Sequence, residues 1–451
     1  MTAVSAKPEP LETAEVATRR GVIRSVKRLG WGVADQGISS LSNFALGIFV
    51  ARTFGANDFG AFTLAFVTYT VVINAARGLA TDPLLVRYSG AMNREWRNAT
   101  SSSAGTALAV GLAVGVVCVV VGLFLPDPVG PVFVALGIAL PGLTLQDSFR
   151  FAFFACGRGG YAFLNDLIWT VLLVLALIGL HQQGDGNAAR CLLVFGATAT
   201  IAAVLGAVQA RALPRPLRTA SWLRTHRDLS LRYLLENVSS SGASQVRYFV
   251  LGAVTSLAAA GYVRASEILM GPFVVVLAGL SQVAVPEAAR VFRRDSRRLL
   301  RFCLLFGGVQ AAGAIAWGLI LITVFPLGPG PALIKELWTP TAQLLPAITL
   351  TVAAACFVTA ATAGLRAMGV ARRSLRAQLI ASAIYVTFAS IGAIQGGALG
   401  ASWGVTAAQL VGALVWWHQL RAALADHHPA PPAGPDTDKN PETMTERTRT
   451  T

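Results

Sequence analysis

The chain has 451 residues, of which 54% are hydrophobic and 13% charged, and its mean hydropathy is +0.59. This composition is too apolar for a soluble domain and indicates a membrane protein. A net charge of +15 would suggest nucleic acid as the partner of a soluble protein. Here the basic residues lie in short segments between apolar runs, which is the pattern of membrane topology, so no nucleic-acid partner is expected.

Twelve apolar stretches, each about 20 residues long, are predicted to cross the bilayer as helices. They begin near Trp31, Phe59, Ser103, Pro131, Tyr161, Ala189, Leu234, Ala260, Phe302, Thr341, Leu375 and Leu399. Every second loop carries arginine, as in 211–232 and 290–301, whereas the loops between them carry almost no Lys or Arg. The positive-inside rule therefore predicts a multi-pass protein of the cell (cytoplasmic) membrane with both termini in the cytoplasm.

The first and seventh predicted helices carry the same polar pattern. The matching residues are Asp35, Gln36, Ser39, Ser40 and Asn43 in the first helix, and Glu236, Asn237, Ser240, Ser241 and Ser244 in the seventh. This spacing places the five polar groups of each helix on one face. Because lipid cannot satisfy polar groups, the two faces are expected to look into a polar interior between two related halves.

The predicted fold is an all-α polytopic membrane protein with about twelve transmembrane helices in two six-helix bundles. The bundles are predicted to be a repeat, since Pro83 and Arg87 correspond to Pro286 and Arg290, and the repeat is expected to be parallel because both halves start on the cytoplasmic side. The expected parts are a cytoplasmic basic arm (1–30), an N-terminal six-helix bundle (31–211), a basic cytoplasmic linker (212–232), a C-terminal six-helix bundle (233–422) and a disordered cytoplasmic tail (423–451).

Charged residues within the predicted spans are the strongest functional candidates, because each is costly in the bilayer unless it meets water or a partner. Arg247 lies deep in the seventh helix and is expected to face a cavity, or else a buried carboxylate. Two pairs are spaced three residues apart on one helix, namely Arg264 with Glu267 and Asp147 with Arg150. Each pair either neutralises itself on the helix face or lines a cavity in which the arginine meets an anion.

Other polar positions have simpler interpretations. Asp35 and Glu236 lie near the start of their helices, where the helix dipole stabilises a carboxylate whatever the function. The serines of the polar faces could be small residues that allow close helix packing. Arg77 lies near the end of a predicted span and is expected to extend its side chain to the interface as an anchor.

The motifs of several enzyme classes are missing from the sequence. It contains no Gly-x-x-x-x-Gly-Lys-Ser/Thr phosphate loop, and no predicted exterior loop is long enough to build a site for glycosyl transfer. The five cysteines and five histidines show no metal-ligand spacing. We therefore expect no catalytic residues, no metal site and no cofactor, and a protein that is a conduit rather than an enzyme.

The run from Trp31 to Gly90 resembles the start of polysaccharide transporters, the O-antigen (Wzx-like) flippases of the multidrug/oligosaccharidyl-lipid/polysaccharide exporter superfamily. The resemblance lies in the segment Ala51 to Gly55 at the end of the first helix and in the Phe59-Gly60 pair that opens the second. It implies two bundles splayed into a V around a central cavity, lined chiefly by the first, second, seventh and eighth helices, and transport by alternating access.

The resemblance also implies which residues line the cavity. Carried over by position, they are Asp35, Gln36, Ser39 and Asn43 in the first helix, Glu236, Asn237, Ser240 and Arg247 in the seventh, and Arg264 in the eighth. The function that it implies is the flipping of a polyprenyl-pyrophosphate-linked oligosaccharide for cell-surface polysaccharide biosynthesis.

The arginines agree with this substrate class, because arginine is always charged and binds two phosphate oxygens at once. Arg247 is the first candidate ligand, followed by Arg264 and Arg150. Transport is expected to be driven by the membrane potential, or by a proton or sodium gradient. The candidates for ion coupling are Asp35, Glu236, Glu267 and Asp147.

Two alternatives remain open at this point. A cation-coupled exporter of drugs or other small molecules would belong to the same superfamily, but its site should favour carboxylates and aromatic rings over arginine. A membrane-embedded sugar polymerase or glycosyl transferase is opposed by the short exterior loops. In every case the chain is expected to act as a monomer in contact with membrane lipids, and a flippase would also meet other polysaccharide assembly proteins.

Overall fold

The computed structural model describes residues 11–184 and 186–426, and the described secondary structure is helical. The long helices are α1 (Leu11–Thr53), α2 (Ala56–Ala76, continued by a π-helical turn at Arg77–Thr81 and a last turn at Asp82–Arg87), α3 (Arg94–Phe124), α4 (Val129–Ala155), α5 (Gly159–Gln182), α6 (Ala188–Ala210), α7 (Arg227–Val254), α8 (Leu257–Arg294), α9 (Ser296–Thr323) and α10 (Leu345–Ala367). A last stretch, Ala371–Ala425, breaks at Gly396 and Gly397 into α11 (371–395) and α12 (398–425).

Most of these helices are long and apolar enough to cross a membrane. Within the described residues nine stretches meet both conditions, and one of them is the broken stretch that contains α11 and α12. The two long helices that fall short are α1 and α7, which are the two that carry the matching polar faces. The prediction of an all-α polytopic membrane protein of about twelve helices is confirmed, and its two least apolar helices are the proposed cavity walls.

The helix ends differ from the predicted spans at both ends of the chain. α1 begins at Leu11, so the described part of the basic segment before Trp31 belongs to the same helix as the first predicted span. At the other end α12 runs to Ala425. The predicted tail beyond residue 426 and the first ten residues lie outside the described part of the chain.

The helices form two lobes, which we call the N-lobe (α1–α6) and the C-lobe (α7–α12). Corresponding helices pack in both lobes: α3 on α4 and α1 on α5 in the first, α9 on α10 and α7 on the α11–α12 stretch in the second. The lobes meet where α2 packs against α7 and α8, and where α1 packs against α8. The two lobes form a V around a central cavity, as predicted. Three of the four helices, α1, α7 and α8, line this cavity together with α10 and the α11–α12 stretch, whereas no described residue of α2 lines it, contrary to the expectation.

Close contact between the lobes depends on two glycines of α2. A Cβ atom on Gly60 would lie 1.9 Å from the carbonyl oxygen of Leu257, at the start of α8. At the other end of α2, a Cβ atom on Gly78 would lie 2.6 Å from the backbone nitrogen of Leu234 in α7. Because backbone atoms cannot move aside as a flexible side chain can, both positions require glycine.

Gly78 lies in the π-helical turn, which also exposes a backbone carbonyl to the neighbouring segment. The carbonyl oxygen of Leu79 accepts hydrogen bonds from Trp222 Nε1 at 3.2 Å and from Ser230 Oγ at 3.1 Å. A π-helical turn shifts the hydrogen-bonding register of a helix and so leaves such an oxygen available. The turn therefore attaches α2 of the N-lobe to the linker and to the first turn of α7.

Gly78→Ala is expected to lower the free energy of unfolding by about 1–3 kcal/mol, because the added methyl group would overlap the backbone of α7. Titration with a denaturing detergent in mixed micelles measures the change. The matched control is Gly179→Ala in α5, where no atom lies within 4 Å of the added Cβ. If both variants unfold at the same detergent concentration, close packing of α2 on α7 does not hold the lobes together.

Candidate functional site

A cavity of about 730 Å³ lies between the lobes, where α1 of the N-lobe faces α7, α8, α10 and the α11–α12 stretch of the C-lobe. The polar residues of its wall, apart from the charged ones, include Ser40, Asn43, Ser244, Thr351 and Gln409. Gly37 of α1 borders open space, since no atom lies within 4 Å of where a Cβ would stand. The cavity therefore combines hydrogen-bonding groups with room for a ligand.

The charged residues that line the cavity, among those described, are Arg247, Arg264 and Glu267. Together with Tyr248 we call them the C-lobe cluster. Nη2 of Arg247 pairs with Oε1 of Glu267, and Nη1 of Arg264 lies 3.3 Å from its Oε2. The hydroxyl of Tyr248 accepts a hydrogen bond from Arg247 at 3.3 Å and donates one to Glu267. One carboxylate thus receives three donors.

Aromatic rings hold both arginines of this cluster in place. The guanidinium carbon of Arg247 lies 4.9 Å from the ring centre of Tyr248 and 5.8 Å from that of Tyr385 in α11. That of Arg264 lies 4.9 Å from the ring centre of Phe66, which belongs to α2 of the N-lobe. A cation over an aromatic face is attracted by the negative charge of that face. Arg264 therefore also connects the C-lobe to the N-lobe.

With two guanidinium groups and one carboxylate, the C-lobe cluster carries one net positive charge. Nε of Arg247 is buried and has no hydrogen-bond partner among the described residues. The described residues therefore leave part of the hydrogen-bonding capacity of this arginine unused. The chemistry that the wall supports best is the binding of an anion with several oxygen atoms.

A second ionic cluster is buried inside the N-lobe, and we call its five charged residues the N-lobe cluster. Arg150 of α4 donates from Nε and Nη2 to Oδ2 of Asp35 in α1, at 2.8 and 2.5 Å. Its Nε also lies 3.1 Å from Oδ2 of Asp166 in α5. Asp147 accepts two hydrogen bonds from Arg77, at 2.8 and 2.7 Å. The cluster therefore joins α1, α2, α4 and α5.

The N-lobe cluster has the opposite charge balance, because three carboxylates face two guanidinium groups. Asp35 is 1% exposed and Asp166 is fully buried. Oδ1 of Asp35 has no hydrogen-bond partner among the described residues. An excess carboxylate in such surroundings is costly unless it binds a proton or a cation. The two lobes thus carry ionic clusters of opposite sign.

The structure brings some of the sequence-predicted residues to the cavity. Arg247, Arg264, Asn43 and Glu267 line it. Gln36 is exposed and donates a hydrogen bond to Ser40 at 3.3 Å.

Three further residues of the predicted cavity wall are placed as follows. Ser39 is half-buried. Glu236 is exposed and lies more than two turns after Arg227, where α7 begins, so it is not at a helix start as expected. Ser240 lies in α7, but its side chain is outside the described part of the structure.

Arg150 and Asn237 have other neighbours than the predicted ones. Arg150 is buried in the N-lobe cluster, where three carboxylates surround it, and Asp147 is the most distant at 4.0 Å. Asn237 donates to Oδ2 of Asp82 at 2.8 Å and to the carbonyl of Asn74 at 3.2 Å, so it contributes to the contact between α7 and α2.

The polar face of α1 does not point in one direction as predicted. Asp35 turns into the N-lobe, while Gln36 is exposed. Successive residues on a helix are about 100° apart, so a pattern that includes neighbouring positions covers a wide arc. One edge of the polar face of α1 therefore contacts the interior of the N-lobe, and the other edge borders the cavity.

The sequence indicated no ionic partner for three residues in or beside the N-lobe cluster. Arg77, expected to be an anchor at the interface, instead forms the bidentate pair with Asp147. Asp166 was not singled out, nor was Gln146, which donates to it at 2.7 Å. The sequence does indicate that Asp166 needs a partner from elsewhere in the fold. It lies within a predicted span and has no arginine or lysine one turn away on its own helix. Its partner had to come from another helix.

No family model and no curated protein sequence matches the chain. Solved structures do match it along most of its length. An inward-facing structure of a multidrug resistance MATE family transporter of the MOP superfamily aligns with a TM-score of 0.63 at 18% identity, and covers 86% of this chain and 94% of that one. The lipid II flippase MurJ, in an inward closed conformation, aligns with a TM-score of 0.62 at 12% identity, and covers 88% and 89%.

A third structure is a MOP superfamily transporter from Pyrococcus furiosus, described by a reversed polarity of its binding pocket that suggests a different function. It aligns with a TM-score of 0.55 at 15% identity, and covers 89% of this chain and 95% of that one. At these identities the similarity concerns the fold. The described part of this chain therefore has the fold of the transporters and flippases of the MOP superfamily.

Proposed function

We propose that the protein is a flippase that moves a polyprenyl-diphosphate-linked oligosaccharide from the cytoplasmic to the outer leaflet of the cell membrane. The observation that carries this proposal is the net positive C-lobe cluster in the wall of the central cavity. A sugar diphosphate cannot cross the hydrocarbon unaided, since its charges and hydroxyl groups would lose their water without gaining partners. Arginines and hydroxyl groups in the cavity supply such partners.

The shape of the cavity wall supports a substrate with a lipid tail. Next to the charged groups the wall contains apolar side chains, among them Leu41 and Phe44 of α1 and Val274 and Val275 of α8. Leu41 is 54% exposed and Val274 is 42% exposed. On this proposal the headgroup binds at the arginines while the prenyl chain remains between α1 and α8, in contact with lipid.

The orientation of the protein is part of the proposal. With the arginine-rich loops in the cytoplasm, the flipped headgroup moves away from a negative interior. The membrane potential favours that movement by about 2.3 kcal/mol per charge per 100 mV. A diphosphate with one negative charge on each phosphate gains twice as much, so the potential alone could drive export.

The N-lobe cluster supports an additional role in coupling. Its excess carboxylate, at Asp35 or Asp166, would bind a proton or a sodium ion, and the entry of that ion would favour one of the two conformations of the transporter. Both aspartates contact Arg150. Ion binding would therefore change how α1 and α5 are held against α4, and so the position of α1 in the cavity wall.

The test is a flipping assay with the purified full-length protein in liposomes. We expect the protein to move a fluorescent short-chain polyprenyl diphosphate sugar across the bilayer, as measured by loss of fluorescence on adding a membrane-impermeant quencher. Empty liposomes and a polyprenyl glycoside with the same sugar but no phosphate serve as controls. If the protein flips the phosphate-free glycoside at the same rate, the arginines do not select the substrate and the proposal is wrong.

A second candidate function is the cation-coupled export of cationic small molecules. The observation in its favour is the net negative charge of the N-lobe cluster, although that cluster is buried. The same liposomes distinguish the two functions. A proton-driven accumulation of a cationic dye, together with no flipping of the diphosphate, would support the exporter and contradict the flippase.

A further inference from the structure

The C-lobe cluster already contains an anion, and that anion is Glu267. Its two carboxylate oxygens are shared among Arg247, Arg264 and the hydroxyl of Tyr248. The ring of Tyr385 faces Arg247 as well. Without a substrate, therefore, both candidate ligand arginines are bound to a carboxylate of the protein itself.

The three charged side chains differ in exposure. The side chain of Arg247 is 7% exposed, whereas those of Glu267 and Arg264 are 23% and 25% exposed. Glu267 is therefore more accessible from the cavity than Arg247, whose guanidinium group it holds. Full contact with both arginines requires the carboxylate to leave its position.

We propose that Glu267 is an internal competitor of the substrate, which occupies the two arginines when the cavity is empty and is displaced when a diphosphate binds. This inference rests on the function proposed above and assigns one further residue to it. When Glu267 moves away, two positive charges remain for the two negative charges of a diphosphate. The exchange replaces one set of charge-assisted hydrogen bonds by another, so no arginine is left buried without a partner.

An internal competitor affects the two ends of the transport cycle in opposite ways. It weakens substrate binding, because the substrate must replace contacts that the empty protein already makes. It also speeds release, because the returning carboxylate takes the arginines back from the substrate. A flippase gains from both effects, since a diphosphate bound to two unopposed arginines would leave slowly.

The test is Glu267→Gln, which keeps the size of the side chain and removes its charge. We expect the full-length variant in nanodiscs to bind a short-chain polyprenyl diphosphate about tenfold more tightly than the unmodified protein. We expect it at the same time to flip this lipid more slowly. A residue that only stabilised the fold would lower binding and flipping together, so tighter binding with slower transport distinguishes the two roles.

The chain offers a matched control on the same helix. Glu287 pairs with Arg290 at 2.5 Å, with the same three-residue spacing as Arg264 and Glu267, but its side chain is 39% exposed at the far end of α8. Glu287→Gln is expected to leave both binding and flipping unchanged.

A further measurement follows the displacement in the unmodified protein. Its infrared difference spectrum should show a shifted glutamate carboxylate band when the diphosphate binds, and the spectrum of Glu267→Gln should lack this band.

The possible outcomes separate the two proposals. If the unmodified protein binds the diphosphate and Glu267→Gln binds it no more tightly, Glu267 is not a competitor, although the flippase proposal stands. An unshifted carboxylate band leads to the same conclusion. If neither protein binds the diphosphate, the proposed function fails and this inference fails with it.

Discussion

Arg247→Gln is expected to lower the rate of lipid-diphosphate flipping by roughly a hundredfold, because it removes a buried charged donor from the centre of the proposed site. Arg247 is the more buried of the two cavity arginines, and its Nε has no partner among the described residues. Water cannot easily replace it there. The measurement is the initial flipping rate in the liposome assay, at equal amounts of monodisperse protein.

A control for this prediction is Arg290→Gln, since the side chain of Arg290 is 65% exposed at the arginine-rich end of α8. Its flipping rate should match that of the unmodified protein. The double variant Arg247→Gln with Glu267→Gln removes the ion pair as a whole, and we expect it to remain inactive. Recovery of flipping in the double variant would mean that Arg247 serves only to neutralise Glu267, and would contradict its role as a ligand.

Arg150→Met is expected to lower the free energy of unfolding by about 3–5 kcal/mol, the largest effect on stability that the structure suggests. Removal of one member of a buried ion pair leaves the remaining charges without compensation. Here Asp35 and Asp166 would both lose the guanidinium group that lies 2.5 and 3.1 Å from their oxygens. Detergent-induced unfolding, followed by circular dichroism, measures the loss.

The same cluster provides the rescue experiment. Asp35→Asn and Asp166→Asn together with Arg150→Met remove the uncompensated charges, so most of the lost stability should return. Arg264→Met is the comparison in the C-lobe, where the side chain is 25% exposed and a smaller loss is expected. If Arg150→Met unfolds at the same detergent concentration as the unmodified protein, the N-lobe cluster does not hold α1, α4 and α5 together.

These predictions separate two roles that the sequence alone could not separate. Arg150 and Arg264 looked alike as arginines with an acidic residue three positions away. In the structure Arg264 keeps its neighbour Glu267 and lines the cavity, whereas Arg150 lies nearest to Asp35 and Asp166, on two other helices. A spacing of three residues shows that two groups can meet on a helix, but not which closer partner another helix provides.

The sequence by itself determined the number and order of the helices and the two helices that are least apolar. Span length, alternating loop charge and polar periodicity depend on residues close together in the chain, and the bilayer makes each of them a strong constraint. For this reason the sequence alone identified α1 and α7 as the two helices with matching polar faces.

Only the tertiary structure decided which charged groups meet. Arg77 and Asp147, Arg150 and Asp166, and Arg247 and Glu267 are pairs from different helices. Each pair depends on how far a helix is rotated and which helix lies beside it, and these depend on packing across the whole lobe. The physical reason is that a buried charge is stabilised by its nearest opposite charge in space, whereas the sequence records only its neighbours along the chain.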